Sequence, residues 1–298
     1  MRTTILLSLL LPFAALTGAS AEKSSIIAKE ATPELLADGF AFTEGPAVDK
    51  QGNVYFTDQP NDRILCWTIE GKLTLFQEGQ GRANGIYFDR DGSLLSCSDR
   101  DNELRRIAMD GTYTTLVADY EGKLLNGPND LWLDPQGGIY FTDPLYQRDY
   151  WTRNPAMQQD GQHVYYLHPD RKQLIRVETQ LKQPNGIIGS PDGKLLYVAD
   201  IGDGKTYLYD IQSDGTLSNR RLFAEMGSDG MTIDERGNIY LTGNGVTVFN
   251  PQGEKIEHIA IDAGWTANVC FGGADMQTLF ITASEYLYSL RMNVKGVR

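Results

Sequence analysis

Asp134-Pro-Gln-Gly-Gly-Ile-Tyr-Phe-Thr-Asp143 reads as a tight turn followed by a short strand of bulky and β-branched residues. The phrase recurs. Asp49-Lys-Gln-Gly-Asn-Val-Tyr-Phe-Thr-Asp58 is nearly the same text, Asp89 to Asp99, Ser190 to Asp200 and Asp234 to Gly243 are looser copies, and Gly273 to Ala283 is a worn sixth. The copies close at 58, 99, 143, 200, 243 and 283, at intervals of 41, 44, 57, 43 and 40 residues. A strand-based period of roughly 40–50 residues is that of a propeller blade. Six copies predict an all-β, six-bladed β-propeller.

Fourteen or fifteen residues before each closing position stand Glu44, Asn84, Asn129, Asn185, Asp229 and Asn268. The local wording is alike: Glu44-Gly-Pro, Asn84-Gly-Ile, Asn129-Asp-Leu, Asn185-Gly-Ile, Asp229-Gly-Met and Asn268-Val. Equivalent points on innermost strands form a ring around a propeller's central channel. Asn-Gly and Asp-Gly are also common turn dipeptides, chosen for positive φ, and one match would carry no information. Six in register, all with oxygen-bearing side chains, predict a polar central site.

The text between copies fits the remaining strands of each blade. Arg63 to Ile69 and Lys72 to Phe76 follow the first copy, and Lys205 to Ile211 and Ser218 to Ala224 follow the fourth, with Gly, Asn or Asp at the turns. The last blade runs out after Tyr286-Leu-Tyr-Ser-Leu290, so residues near Ser25 to Leu36 are expected to supply its fourth strand and close the ring. The 57-residue interval holds an insertion from Pro144 to about His163 with Tyr146, Tyr150, Trp151 and Arg153. A long aromatic loop after an inner strand is expected to overhang the channel mouth and offer stacking surface to a substrate.

Residues 1–21 read as a secretory signal peptide: Arg2, an apolar run from Ile5 to Ala15, and Ala19-Ser20-Ala21 before the cut. That run is shorter than the roughly 20 residues of a membrane span. Residues 22–298 then form one propeller domain, exported to the periplasm or secreted, with no membrane association after cleavage. Losing Arg2 moves the net charge from −12 to −13, which disfavours nucleic-acid and anionic-lipid partners. Cys66, Cys97 and Cys270 are too few for a disulfide framework; buried free thiols are expected, with a Cys66–Cys97 bridge between neighbouring blades as the alternative.

An all-oxygen ring suits a hard divalent cation: calcium first, with magnesium, manganese or zinc as alternatives. Glu44 and Asp229 would neutralise its charge, and Asn185 is placed to add a neutral oxygen. His163, His168 and His258 have no metal-motif spacing and read as surface or strand-end residues. No Gly-x-Ser-x-Gly elbow is present, which disfavours a serine hydrolase.

Phe42-Thr-Glu-Gly-Pro46, Asn126-Gly-Pro-Asn-Asp130, Gln183-Pro-Asn-Gly-Ile187, Ser228-Asp-Gly-Met231 and Asn268-Val-Cys-Phe-Gly-Gly273 together resemble the regucalcin/gluconolactonase family of six-bladed propeller lactonases. The resemblance runs from about Phe40 to Leu290. It implies that Glu44, Asn185 and Asp229 hold a central divalent cation and that Asn129 faces the substrate. It also implies hydrolysis of a small-molecule sugar lactone to the aldonic acid. Asn84, Asn268 and Tyr146 join Asn129 as expected substrate contacts, with Asp229 as first choice and Asp130 as second choice for the base. Many sugar-lactone hydrolases carry an Arg shortly before the paired Asn-Asp; Leu124, Leu125 and Gly127 stand there instead, which bears on sugar specificity. Two other readings are a calcium-stabilised propeller that binds a carbohydrate or protein without chemistry, and a phosphotriesterase-type hydrolase.

Overall fold

The computed structural model describes residues 26–297. The signal-peptide reading of residues 1–21 lies outside that range. Among the described residues are six four-stranded antiparallel sheets, a two-stranded ribbon and one short 3-10 turn at Gln59–Asn61. None of the described helical segments is long and apolar enough to cross a membrane.

Five blades are consecutive in the chain. The sixth consists of Thr266–Gly272, Thr278–Ala283, Tyr286–Arg291 and, as its outer strand, Glu34–Ala37 from the other end of the chain. Glu34 pairs with Ser289 and Leu35 with Tyr288. The ring is therefore closed by hydrogen bonds between strands from opposite ends of the described chain, with Glu34–Ala37 covering the outer edge of Tyr286–Arg291.

The recurring phrase is a turn followed by the second strand of a blade. Asp134 Oδ1 accepts from the backbone N–H groups of Gln136 (2.7 Å) and Gly138 (2.8 Å), while Gly137 takes φ +97°. Asp49 and Asp234 make the same side-chain bonds at their own turns. The strands that follow, Val54–Asp58, Ile139–Asp143 and Ile239–Gly243, are buried along their whole length. Successive side chains point to opposite sheet faces, and in a propeller each face is covered by a neighbouring blade. That is why the phrase lacks polar alternation: Tyr140 packs in the core shared with Tyr166, Leu196 and Tyr197, and Phe141 in the one shared with Leu95 and Tyr165. Burial of each such side chain contributes roughly 1.5–3 kcal/mol. Outer strands such as Leu73–Glu78 are largely exposed.

The cysteines are free and buried. Of the surface or strand-end reading, His163 takes the second form: it is 3% exposed at the start of the strand His163–Leu167, against Asp160 at 2.9 Å.

Candidate active site at the channel mouth

The six ring residues lie at or just before the start of the innermost strands: Thr43–Val48, Ala83–Phe88, Leu131–Leu133, Pro184–Gly189, Met231–Ile233 and Thr266–Gly272. In four of these the pairing register shifts beside the ring residue, between Glu44 and Ala47, Ala83 and Ile86, Pro184 and Ile187, and Thr266 and Asn268. In the other two, Asn129 and Asp229 precede the strand. An irregularity of this kind re-aims a side chain out of the pleat, here toward the axis.

The glycines after Asn84, Asn185 and Asp229 have a different reason from the turn reading. Gly85, Gly186 and Gly230 do not take positive φ. A Cβ on Gly85 would lie 2.6 Å from Asn129 O, one on Gly186 2.7 Å from Asp229 O, and one on Gly230 1.9 Å from the Asn268 side chain. The inner strands of adjacent blades touch backbone to backbone here, and Gly85 N donates to Asn129 O at 2.7 Å.

The ring is knitted on one side. Asn185 Nδ2 donates to Asp229 Oδ1 and to the Tyr146 hydroxyl, both at 2.8 Å. Asn268 Nδ2 reaches Glu44 Oε2 at 3.4 Å, and Gly45 N donates to the same oxygen at 2.8 Å. Asp130, the next residue after Asn129, accepts from Leu131 N at 2.9 Å. On the other side, the Asn84 and Asn129 side-chain amides have no hydrogen-bond partner among the described residues, although both are buried.

Three buried carboxylates share this space. Burial raises Glu44 well above the usual carboxylate range, and the charge of Asp229 adds to the effect. Burial likewise pushes Asp229 up to about 6, against hydrogen bonds from Trp265 and Asn185 that favour the ionised form. Asp130 is pushed up to about 7, again by burial. Asn185, 1% exposed, has a buried Oδ1 without a partner among the described residues, its amide nitrogen being engaged twice. An orphaned buried acceptor costs roughly 1–3 kcal/mol. An acceptor without a donor, beside carboxylates that resist ionising for want of positive charge, is the pattern a hard cation would satisfy. The donor set is carboxylate plus amide, and among the described residues no group of three or more His, Cys, Asp or Glu side chains has metal-holding geometry.

The insertion is anchored rather than hanging free. Leu145 is pinned by Gln162 Oε1, which accepts from its N–H at 2.7 Å, and by Gln183, and this sets Tyr146 above Asn185. The Tyr150 hydroxyl donates to Asp99 Oδ2, which also accepts from Gln59 Nε2 (2.7 Å) and Arg148 Nε (2.8 Å). Trp151 lies against Gly127, where a Cβ would come within 3.4 Å of its ring, and Arg153 stacks on Trp151 at 4.0 Å. The expected stacking surface is thus largely turned inward; Tyr146 alone of the expected four reaches the ring. Asp99 is unusual among the closing residues, since Asp58, Asp143 and Asp200 each accept from two consecutive backbone N–H groups at the start of their own blade.

Two residues at the mouth had not been singled out. Trp265, one position before the last inner strand, donates Nε1–H to Asp229 Oδ2 at 2.7 Å while remaining 39% exposed. Arg148 brings a cation to the rim. The exposed tryptophan at the start of a repeat was the available sign for the first; nothing in the local wording marked the second.

Residues 42–285 match the family described as SMP-30/Gluconolactonase/LRE-like region. The chain belongs to that family. It is 29% identical over 292 residues to a gluconolactonase of Zymomonas mobilis, covering 88% of this chain and 82% of that one. It is 30% identical over 240 residues to the diisopropyl-fluorophosphatase of Loligo vulgaris, covering 70% and 75%. The solved gluconolactonase of Xanthomonas campestris superposes with a TM-score of 0.81 at 31% identity over 90% of this chain and 91% of that one.

Proposed function

We propose that this protein is an exported, metal-dependent lactone hydrolase that opens a sugar lactone to the aldonic acid. The observation that carries the reading is Asn185 Oδ1, a buried acceptor with no donor among the described residues, beside two carboxylates whose ionisation burial opposes. Glu44, Asn185 and Asp229 would hold the cation, calcium in the first instance. When bound, it supplies Lewis-acid polarisation of the lactone carbonyl.

The remaining chemistry falls to side chains. Asn84 and Asn129, with amides free to donate and accept, bind the substrate's oxygens. Asn268 holds Glu44, and Tyr146 caps Asn185. Asp229 takes a proton from the attacking water as the water oxygen bonds to the carbonyl carbon; the ring C–O bond then breaks and the leaving alkoxide takes that proton from Asp229. Trp265 and Asn185 orient the Asp229 carboxylate for this step. Asp130, whose carboxylate accepts from Leu131 N, remains the second candidate. A positioned base is worth roughly 10²–10⁴ in rate.

The test is acid release from glucono-1,5-lactone before and after chelation and after return of calcium, magnesium, manganese or zinc. Activity lost to chelator and restored by a cation supports the reading; cation binding with no acid release from any lactone leaves the non-catalytic binding propeller in its place. The phosphotriesterase reading draws on the similarity to the Loligo enzyme. Turnover of an organophosphate at a rate above that of every lactone would favour it. Export is checked by the N-terminal residue of the purified protein, expected near Glu22.

A further inference from the structure

A positive edge interrupts the acidic mouth. Arg148 bonds Asp99 through Nε alone, at 2.8 Å, with its side chain 30% exposed. Among the described residues neither of its Nη nitrogens has a hydrogen-bond partner. Its guanidinium stands 5.7 Å from the ring centre of Tyr146, the residue hydrogen-bonded to Asn185. Arg82 directly precedes the strand that carries Asn84, and its guanidinium lies 4.3 Å from the ring centre of Tyr150. No carboxylate pairs with the Arg82 side chain among the described residues. Other arginines nearby are committed: Arg63 to Asp58, Arg105 to Asp101 and Glu103, and Arg153 to the carbonyls of Leu125 and Asn126. Asp99 accepts from Arg148 directly and from the hydroxyl of Tyr150, whose ring lies against Arg82, so one carboxylate links two guanidinium groups.

The uncommitted donors attach to the blade of the unpartnered Asn84 amide, next to the blade of Asn129: Arg82 just before the strand Ala83–Phe88, and Arg148 through Asp99 at the end of the strand Leu94–Ser98. A lactone with its ester group at Glu44, Asn185 and Asp229 would extend its carbon chain over those amides toward the arginines. Guanidinium donors in a planar fork match carboxylate, sulfonate and phosphate oxygens.

We propose that Arg148 and Arg82 form an anion subsite, which selects lactones that carry an oxyanion at the end of the carbon chain remote from the ester. This rests on the lactone-hydrolase reading. It also accounts for Gly127: the cation comes from the insertion, and Trp151 fills the space beside residue 127.

The test compares glucono-1,5-lactone with its analogues bearing a 6-phosphate, a 6-sulfonate or a 6-carboxylate, using the full protein supplied with cation. Wild type is expected to favour at least one anionic lactone by about 10-fold or more in kcat/KM. Arg148→Gln and Arg82→Gln should each shrink that preference by about 10–100-fold, the worth of a charge-assisted hydrogen bond. Which analogue shows the largest preference identifies the anion. Absence of any preference in wild type, or an equal fall on neutral and anionic lactones in both variants, overturns the subsite; the equal fall would mean that Arg148 only holds the insertion. Calorimetric titration with gluconate and 6-phosphogluconate reads the subsite without turnover. If neither lactone is hydrolysed but the phosphorylated acid still binds tighter, the subsite stands and the hydrolase reading falls. Equal binding of both acids in that case removes both.

Discussion

The indole nitrogen of Trp265 donates to Asp229 Oδ2 at 2.7 Å, and Asn185 donates to the other oxygen at 2.8 Å. One carboxylate is therefore held in a fixed plane by donors from the two neighbouring blades. Hydrogen bonds to the ionised form lower a pKa, so loss of one raises it. Trp265→Phe is expected to reduce kcat/KM by roughly 10-fold and to move the acid limb of its pH profile to higher pH. A pH–rate profile checks this; a limb that stays in place or moves to lower pH removes Trp265 from control of Asp229.

Asn185→Leu deletes the orphaned oxygen while keeping the side chain's size. Divalent-cation affinity should fall by about 10-fold or more with the fold intact, measured by calorimetry alongside circular dichroism. Asp229→Asn keeps the shape but removes both charge and base, and the expected loss in kcat is about 10²–10⁴. Near-normal turnover of Asp229→Asn with cation bound would show that the base lies elsewhere, with Asp130 the next residue to vary.

Cation binding should release protons near pH 6. Burial holds Asp229 near 6 and Asp130 near 7, and raises Glu44, so these groups are partly protonated there in the metal-free protein. The cation favours the ionised form, so its affinity rises with pH through the range in which these groups lose their protons. The same raised values mean that the metal-free folded state holds more protons than the unfolded chain above about pH 4. The site's contribution to stability is therefore present at low pH and declines as pH rises to about 7, by about 1.4 kcal/mol per pH unit for each proton. Titrations in buffers of different ionisation enthalpy count the protons; zero release at pH 6 would place the cation away from these carboxylates.

Gly186→Ala places a methyl group 2.7 Å from the backbone oxygen of Asp229. Backbone cannot rotate aside as a side chain can, so the strands must separate. The cost is about 1–3 kcal/mol, a drop in Tm of roughly 2–4 °C per kcal/mol, together with weaker cation binding because Asp229 moves. An unchanged Tm would mean that the inner strands are not held at this spacing.

Blade number, ring membership and closure by the N-terminal strand were legible because they are one-dimensional facts. A repeated Asp-turn-strand phrase records a periodic backbone, and equal offsets from it place Glu44, Asn84, Asn129, Asn185, Asp229 and Asn268 on equivalent points of six sheets. The phrase itself is apolar because both faces of its strand are buried, a condition that each copy states locally. The reason for the glycines was not legible: Asn-Gly reads as a turn in sequence, and only the approach of adjacent backbones at Gly85, Gly186 and Gly230 shows them to be contact points. Tertiary structure alone decided which neighbours the ring residues keep. Trp265 meets Asp229 from 36 residues away, and Arg148 meets Asp99 from 49. Such pairs follow no period, because they depend on where a loop from one blade folds over the next. A repeat fixes the axis and what surrounds it; the contacts that set charge and orientation at the mouth arise from the part of the chain that breaks the repeat.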